Sequence, residues 1–208
     1  MILEYAATVV AGYLLGSVPF GLIVGYLWLG RDIRESGSGK TGTTNVLRTA
    51  GKTAAAVVVI SDIAKGMVPA LLGRLVFEND GAAAAGAAAA ILGHVWPVFA
   101  GFRGGRGVAT SYGGILGLTP LIAAFFPLLL VIPVGVTRYM SLGSILGTPV
   151  AAGAVVIAAA MGSVPWPFAF YAIFVALFVE YQHIPNIRRL LAGTEPKMGK
   201  GGDRPATG

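Results

Sequence analysis

Nearly the whole chain is laid out as long apolar runs, and that pattern leaves few folds open. Residues 3–29, 53–77, 82–100, 107–137, 142–161 and 168–181 are stretches with hardly a charge. Runs of this length are what a helix needs to cross a bilayer. With 55% of its residues hydrophobic and 12% charged, the chain reads as a polytopic membrane protein, so the question is how many helices cross. It contains no cysteine, which excludes a disulfide framework, a thiolate nucleophile and a Cys-ligated metal. No cleavable signal peptide is expected. The first run is too long, lacks a positive n-region and ends in no Ala-x-Ala site.

The stretch 107–137 is too long for one ordinary helix and is broken by Gly113, Gly114, Gly117 and Pro120. It is read as a short helix over 108–118 and a second from 121 to about 136. Loop charge tests that division. The connector 31–52 carries Arg31, Arg34, Lys40, Arg48 and Lys52. The connector 94–106 carries Arg103 and Arg106, the next polar corner carries Arg138, and the tail carries Arg188, Arg189, Lys197, Lys200 and Arg204. These are thirteen of the fifteen basic residues, and the connectors 78–81, 119–120 and 162–165 carry none. Seven spans with the N-terminus outside put all thirteen on the cytoplasmic side, whereas six spans would put Arg138 and the basic tail outside. The net charge of +6 is therefore assigned to cytoplasmic loops and not to nucleic-acid binding. The expected fold is an all-α, compact bundle of seven transmembrane helices with a cytoplasmic C-terminus. Its fourth span is too short to cross without protein around it. Residues 1–195 form a single membrane domain, and the Gly-, Lys- and Pro-rich tail 196–208 is expected to be disordered. The pairs Gly12/Gly16, Gly21/Gly25, Gly113/Gly117 and Gly143/Gly147, with the alanine-rich run 81–90, predict close helix packing.

Between the first two spans lies a polar connector that such a bundle has no structural need for. Gly37, Gly39 and Gly42 free the backbone to curl so that successive N–H groups share one concavity. Ser38, Thr41, Thr43, Thr44 and Asn45 add side-chain donors, and Arg34, Lys40 and Arg48 add positive charge. That set suits an anion with several oxygens, above all phosphate. The match to a dinucleotide fingerprint at Gly37, Gly39 and Gly42 is weak, because a membrane span precedes it in place of a strand. A Walker A match fails because Arg34 stands where its first glycine should be.

Further polar groups recur at the same membrane side. Arg103 and Arg106 bracket Gly104 and Gly105, after His94 and Pro97, and read as a second oxyanion clamp. Asp62 and Lys65 share a helix face within a span, either as a self-neutralising pair or as ligand contacts. Ser141 and Ser144 open the sixth span beside Arg138. His183, Asn186 and Arg189, three apart, lie roughly on one side of the last helix.

Taken in order, these motifs resemble the bacterial acyl-phosphate-dependent glycerol-3-phosphate acyltransferases, the PlsY family. They include Gly16-Ser17-x-Pro19-x-Gly21, Thr44-Asn45-x-x-Arg48, Asp62-x-x-Lys65-Gly66, Leu92-Gly93-His94-x-x-Pro97-x-Phe99, Arg138-Tyr139-x-Ser141-Leu142-x-Ser144 and His183-x-x-Asn186, which continues to Gly193-x-Glu195. The similarity covers nearly the whole chain. It implies a seven-helix integral membrane enzyme of the bacterial cytoplasmic membrane, with its active site facing the cytoplasm. Such an enzyme moves a fatty acyl group from acyl phosphate to the 1-position of glycerol 3-phosphate, giving lysophosphatidic acid for phospholipid biosynthesis. Lys40, Thr43 and Arg106 stand where the family usually has asparagine, alanine and lysine, so Arg106 exchanges a point charge for a planar fork.

Ser38, Arg48, Arg106, Ser141, His183 and Asn186 are the expected catalytic residues. Gly37, Gly39, Gly42, Thr43, Thr44, Asn45, Lys65, His94, Gly104, Gly105, Arg138, Ser144 and Arg189 are expected to bind substrate. The loop 38–45 is assigned to the acyl-phosphate head group. By similarity, Arg48, Arg106, Ser141, His183 and Asn186 are assigned to glycerol 3-phosphate. An acyl phosphate already carries a good leaving group, so no covalent nucleophile is required. No His/Asp/Glu ligand cluster is visible, and neither metal nor cofactor is expected. The hydroxyl proton goes to His183 or to the acyl-phosphate oxygen, and the sequence leaves that choice open. The expected partners are the two substrates and the lipid bilayer, with room for a soluble acyl-phosphate-forming acyltransferase. A transporter of organic phosphates is the competing class. It is disfavoured because the polar motifs gather on one side and the halves show no repeat.

Overall fold

A computed structural model describes residues 1–199, and all its regular elements are helical. The first apolar run is two helices, α1 (Ile2–Gly16) and α2 (Phe20–Leu29), because Pro19 has no N–H to continue the ladder. After the polar connector comes α3 (Thr43–Thr49), then α4 (Gly51–Leu71), which loosens into one π-helical stretch at Leu72–Val76 beyond Pro69. The next helix is α5 (Asp80–Val95), whose first turn is capped by the Asn79 side chain accepting from Ala82 N–H at 2.9 Å. Pro97 ends it, and a single 3₁₀ turn at Val98–Ala100 follows. The stretch expected at 107–137 resolves into α6 (Val108–Leu118), α7 (Pro120–Ala123) and α8 (Phe126–Thr137), with Pro127 opening the last. The chain closes with α9 (Met140–Ala160) and α10 (Trp166–Leu191).

Among the described residues, six helical segments are long and apolar enough to cross a membrane, one of them Ile2–Leu29, which spans both α1 and α2. The seventh apolar helix, α6, has 11 residues and extends only about 16 Å, half of a hydrocarbon core. Seven of those residues are buried, so protein and not lipid surrounds its ends. Two basic side chains complete the interrupted backbones. Lys65 donates to the carbonyl of Val18, at the break before Pro19, at 3.0 Å. Arg74 donates to the carbonyl of Gly117 at the end of α6 at 3.1 Å.

The centre of the bundle is α5, which packs against α1, α4, α6 and α10. Its alanine–glycine composition makes this possible. A Cβ on Gly12 would fall on the Gly86 carbonyl, and one on Gly16 would fall on the Ala90 carbonyl. Gly113 and Gly117 seat α6 on α4 in the same way, and Gly143 and Gly147 seat α9 on α8. The fourth pair differs from expectation. Gly21 lies under the Thr41 carbonyl and Gly25 under Ile33, so the glycine face of α2 packs on the polar connector, while α2 also touches α4. Ile33 is 1% exposed there, and this apolar anchor folds the connector back over α2. Of the expected disordered tail, residues 200–208 lie outside the described residues. Pro196–Gly199 run back to the α8–α9 corner, where Met198 N–H donates to the Arg138 carbonyl at 2.7 Å.

Candidate active site

The connector owes its shape to Asn45. This side chain is 1% exposed, and its amide nitrogen donates to the carbonyls of Ile33, Lys40 and Ser36 at 2.9, 2.9 and 3.1 Å. Its oxygen accepts from Ser38 N–H at 2.8 Å and lies against Gly37, where φ is +65° and a side chain would collide with it. Asn45 thus builds the loop, and it also borders the cavity where substrate contact is expected. Arg34 is also spent internally. Its guanidinium pairs with Asp32 at 2.7 Å and reaches the Ala100 carbonyl at 2.9 Å, tying the connector to the end of the α5 segment. Facing the cavity are Lys40, Arg48 and the hydroxyls of Ser38, Thr43 and Thr44, with Arg48 Nη2 also donating to the Pro196 carbonyl at 3.4 Å. The Thr43 oxygen is buried without a partner.

Opposite the connector stands the α10 stripe. His183 is 2% exposed, and its Nδ1 lies 2.7 Å from the Val179 carbonyl one turn back. A carbonyl only accepts, so Nδ1 carries the hydrogen and Nε2 is left as a lone pair. Asn186 donates its amide to Glu195 Oε1 at 2.7 Å, which leaves its own oxygen as a buried, unpartnered acceptor. Glu195 also accepts from Ser141 at 2.6 Å and from Arg189 at 2.7 Å. This carboxylate therefore joins α9, α10 and the segment after α10. Burial works to raise its pKa, but the bonds from Ser141, Asn186 and Arg189 outweigh that and hold it below the ordinary carboxylate range. The sequence assigned Glu195 no role, because its three partners come together only in the folded chain.

The glycine loop before α6 works differently from a double clamp. Gly104 and Gly105 donate to the carbonyls of Val95 and His94, both at 3.2 Å, and side chains there would strike the His94 backbone and imidazole. They lie flat against the end of α5 and do not line the cavity. Arg103 points outward, and only Arg106 enters. Burial, assisted by repulsion from Arg189, lowers the Arg106 pKa to about 10, so it remains charged at neutral pH. Below this loop, Asp62 binds Lys65 at 2.9 Å and lies 3.5 Å from His94 Nδ1, all three buried. Asp62 and His94 border the cavity, while Lys65 is turned away toward Val18. The self-neutralising pair is the arrangement observed, and the expected substrate contact of Lys65 is replaced by backbone satisfaction.

A cavity of about 1140 Å³ unites these parts. All six expected catalytic residues line it: Ser38, Arg48, Arg106, Ser141, His183 and Asn186. Gly37, Gly39, Gly42, Thr43, Thr44, Asn45, His94, Ser144 and Arg189 line it too. Lys65, Gly104 and Gly105 do not, and Arg138 borders a smaller neighbouring cavity. Five basic side chains, Lys40, Arg48, Arg106, Arg189 and Lys197, face two carboxylates, Asp62 and Glu195, both already paired. The excess positive charge suits a polyanion, and the acceptors His183 Nε2 and Asn186 Oδ1 suit hydroxyl groups. No group of three or more metal-ligating side chains occurs among the described residues. An apolar arm continues from this polar chamber past Val59 and Ile63 of α4, Val108, Ala109 and Tyr112 of α6, and Leu130 and Val134 of α8.

Fold and site together define an integral membrane protein with a cation-lined chamber opening onto apolar helix surfaces. Residues 6–193 match the family described as glycerol-3-phosphate acyltransferase. Among curated relatives, glycerol-3-phosphate acyltransferase 3 of Dehalococcoides mccartyi strain 195 is 40% identical, covering 95% of this chain and 97% of the relative. The Shouchella clausii glycerol-3-phosphate acyltransferase is 41% identical, with 96% and 98% covered. The fold is shared with crystal structures of PlsY, an integral membrane glycerol 3-phosphate acyltransferase. Its glycerol 3-phosphate form has a TM-score of 0.87 at 37% identity, covering 94% of this chain and 96% of that one. Its lysophosphatidic acid form has a TM-score of 0.85 at 36% identity, covering 94% and 95%. The chain belongs to the glycerol-3-phosphate acyltransferase family.

The depressed Glu195 pKa fixes the sign of a stability change. A carboxylate held below its unfolded value stabilises fully above the ordinary range near 4.3, and that contribution is lost as pH falls through the folded pKa. Glu195→Gln is expected to cost about 1–3 kcal/mol at neutral pH, because Arg189 loses a charged acceptor and Ser141 and Asn186 meet an amide. The thermal midpoints of wild type and variant should converge on acidification. A gap that stays constant down to strongly acidic pH would contradict this.

Proposed function

We propose that the chain transfers a fatty acyl group from acyl phosphate to the 1-hydroxyl of glycerol 3-phosphate, giving lysophosphatidic acid and phosphate. The observation that carries this reading is the pairing, in one chamber, of Arg48 and Arg106 with two hydrogen-bond acceptors on α10. A phosphorylated polyol matches that set, its phosphate against the guanidinium groups and its hydroxyls against His183 Nε2 and Asn186 Oδ1. Lys40 and the Ser38–Thr44 hydroxyls would hold the donor phosphate, and the apolar arm would take the acyl chain. Cations between the two phosphates offset a repulsion that would otherwise keep the substrates apart.

No covalent intermediate is required. Ser141 commits its hydrogen to Glu195, and no imidazole is bonded to it among the described residues. The polyol oxygen attacks the acyl carbonyl, the carbonyl–phosphate oxygen bond breaks, and the hydroxyl proton passes to an oxygen of the departing phosphate. Holding both reactants in line supplies the rate advantage. We read the topology as seven spans in a bacterial cytoplasmic membrane, with the N-terminus outside and the chamber facing the cytoplasm, where glycerol 3-phosphate is dissolved. A soluble acyl-phosphate-forming acyltransferase would deliver the donor from that side. The product would enter phospholipid biosynthesis.

Three experiments check this reading. Purified protein given hexadecanoyl phosphate and glycerol 3-phosphate is expected to form lysophosphatidic acid, in chelator as well as without it. Comparable turnover with acyl-CoA alone would remove acyl phosphate as the donor. Since no native cysteine interferes, Asp80→Cys should be labelled by an impermeant thiol reagent in intact cells while Ala192→Cys is protected, and the reverse pattern would overturn the orientation. For His183→Gln, kcat within about tenfold of wild type and a raised KM for glycerol 3-phosphate are expected, as for a positioning group. A thousandfold loss of kcat at unchanged KM would make His183 the general base, whose usual contribution is about 10²–10⁴-fold.

A further inference from the structure

Arg138 was expected in the reaction chamber and borders a separate cavity of about 510 Å³. That cavity is walled by α3, the first turn of α4, the α8–α9 corner and residues 197–199. Four basic side chains face it, Arg48, Lys52, Arg138 and Lys197, and among the described residues no carboxylate does. None of the four takes part in an ion pair among the described residues. The basic side chains that do are Arg34, Lys65, His94 and Arg189, all at other places. The cavity shares Thr44, Arg48, Met140 and Lys197 with the reaction chamber, so Arg48 faces both spaces.

Membrane orientation alone does not account for this convergence. Basic residues set topology from anywhere in a cytoplasmic loop and need not meet in one concavity. Helix stability does not account for Lys52 either, since it sits in the first turn of α4, where the helix dipole disfavours a cation. Arg138 is held deliberately. It adopts a left-handed φ of +65°, unusual for a residue with a side chain, and is clamped by two bonds to Met198. Met198 N–H donates to the Arg138 carbonyl and Arg138 Nη2 donates to the Met198 carbonyl, both at 2.7 Å. The wall offers cations and the Thr44 hydroxyl and lacks the acceptor pair found on α10. It therefore recognises the phosphate of a ligand and not its hydroxyls.

We propose that this cavity is an outer phosphate-monoester site that captures glycerol 3-phosphate and passes it, through Arg48, into the reaction chamber. It rests on the acyl-transfer reading only for the identity of the ligand. Clustered cations at the mouth of a low-dielectric chamber raise the local concentration of a dianion and its rate of entry. The outer site binds weakly and without regard to the polyol, so inorganic phosphate competes there. Release of the phosphate product by the same path follows from the same chemistry.

Equilibrium binding of radiolabelled glycerol 3-phosphate to the purified full chain, without acyl donor, tests this. Wild type is expected to hold two equivalents, one of them weak, displaced by inorganic phosphate and lost at high salt. Lys52→Glu should lose the weak equivalent alone. In turnover it should raise KM for glycerol 3-phosphate by roughly tenfold while leaving kcat and the KM for acyl phosphate unchanged. Lys52→Gln, which perturbs the fold less, should shift KM in the same direction by less. One equivalent in wild type and variant alike, or a KM indifferent to both substitutions and to salt, would overturn the proposal, as would a weak equivalent that inorganic phosphate fails to displace. Two phosphate-sensitive equivalents in a protein that makes no lysophosphatidic acid would leave the outer site standing and remove the acyl-transfer reading.

Discussion

A backbone carbonyl inside a bilayer has no water to turn to, and the rest of this architecture follows from how that requirement is met. An uninterrupted helix satisfies it automatically, but an uninterrupted helix cannot build a chamber. Here the first span breaks at Pro19 and α6 stops short at Leu118. Each break exposes a carbonyl, and each is answered by a cation, Lys65 of α4 at Val18 and Arg74 of the π-helical stretch after it at Gly117. Lys65 is in turn neutralised by Asp62. A buried Lys–Asp pair in the middle of an apolar helix is therefore part of the cost of the break in the first span, while Arg74 answers the short α6, whose N-terminal end carries Arg106 into the interior.

Close packing and chemistry are linked through the same elements. The glycine and alanine surface of α5 lets α1, α4, α6 and α10 approach it at backbone distance, so the helix ends converge at one level. At that level the connector, the glycine loop and the segment after α10 supply the polar groups. They are rigid for different reasons: Asn45 gathers three carbonyls, Gly104 and Gly105 lie on the end of α5, and Glu195 collects three donors. The supporting groups are thus saturated, while Arg48, Arg106, His183 Nε2 and Asn186 Oδ1 face the chamber.

What the sequence made legible is whatever a local period or a spacing encodes. The apolar runs, the short helix at 108–118 and the stripe of His183, Asn186 and Arg189 follow from helical geometry, and the structure has them. Glycine pairs announced close approach, although Gly21 and Gly25 met a loop, since spacing says nothing about which partner arrives. Roles decided by tertiary contacts were not legible. Asn45 and Ser38 look alike in a polar loop, but only Asn45 is buried where three carbonyls converge. Glu195 lies in what reads as a tail, and its importance depends on Ser141 lying beside it across 54 positions of sequence. Arg34 and Arg103 look like ligands until Asp32 takes the first and solvent the second.

The tautomer of His183 carries the argument about the proton furthest. An imidazole that must become a cation is best supported by a carboxylate on its far nitrogen. Here the far nitrogen donates to the Val179 carbonyl, which orients the ring but stabilises an imidazolium far less. Both carboxylates at the chamber are already paired, Asp62 with Lys65 and Glu195 with Arg189. On the acyl-transfer reading, the oxygen best able to accept the proton is then the donor's own phosphate. It is anionic, adjacent to the attacked carbonyl and becomes more basic as its bond to carbon breaks. A chamber with many cations and no unpaired carboxylate suits such a substrate, because the protein needs only to hold two anions together and let one deprotonate the other's hydroxyl.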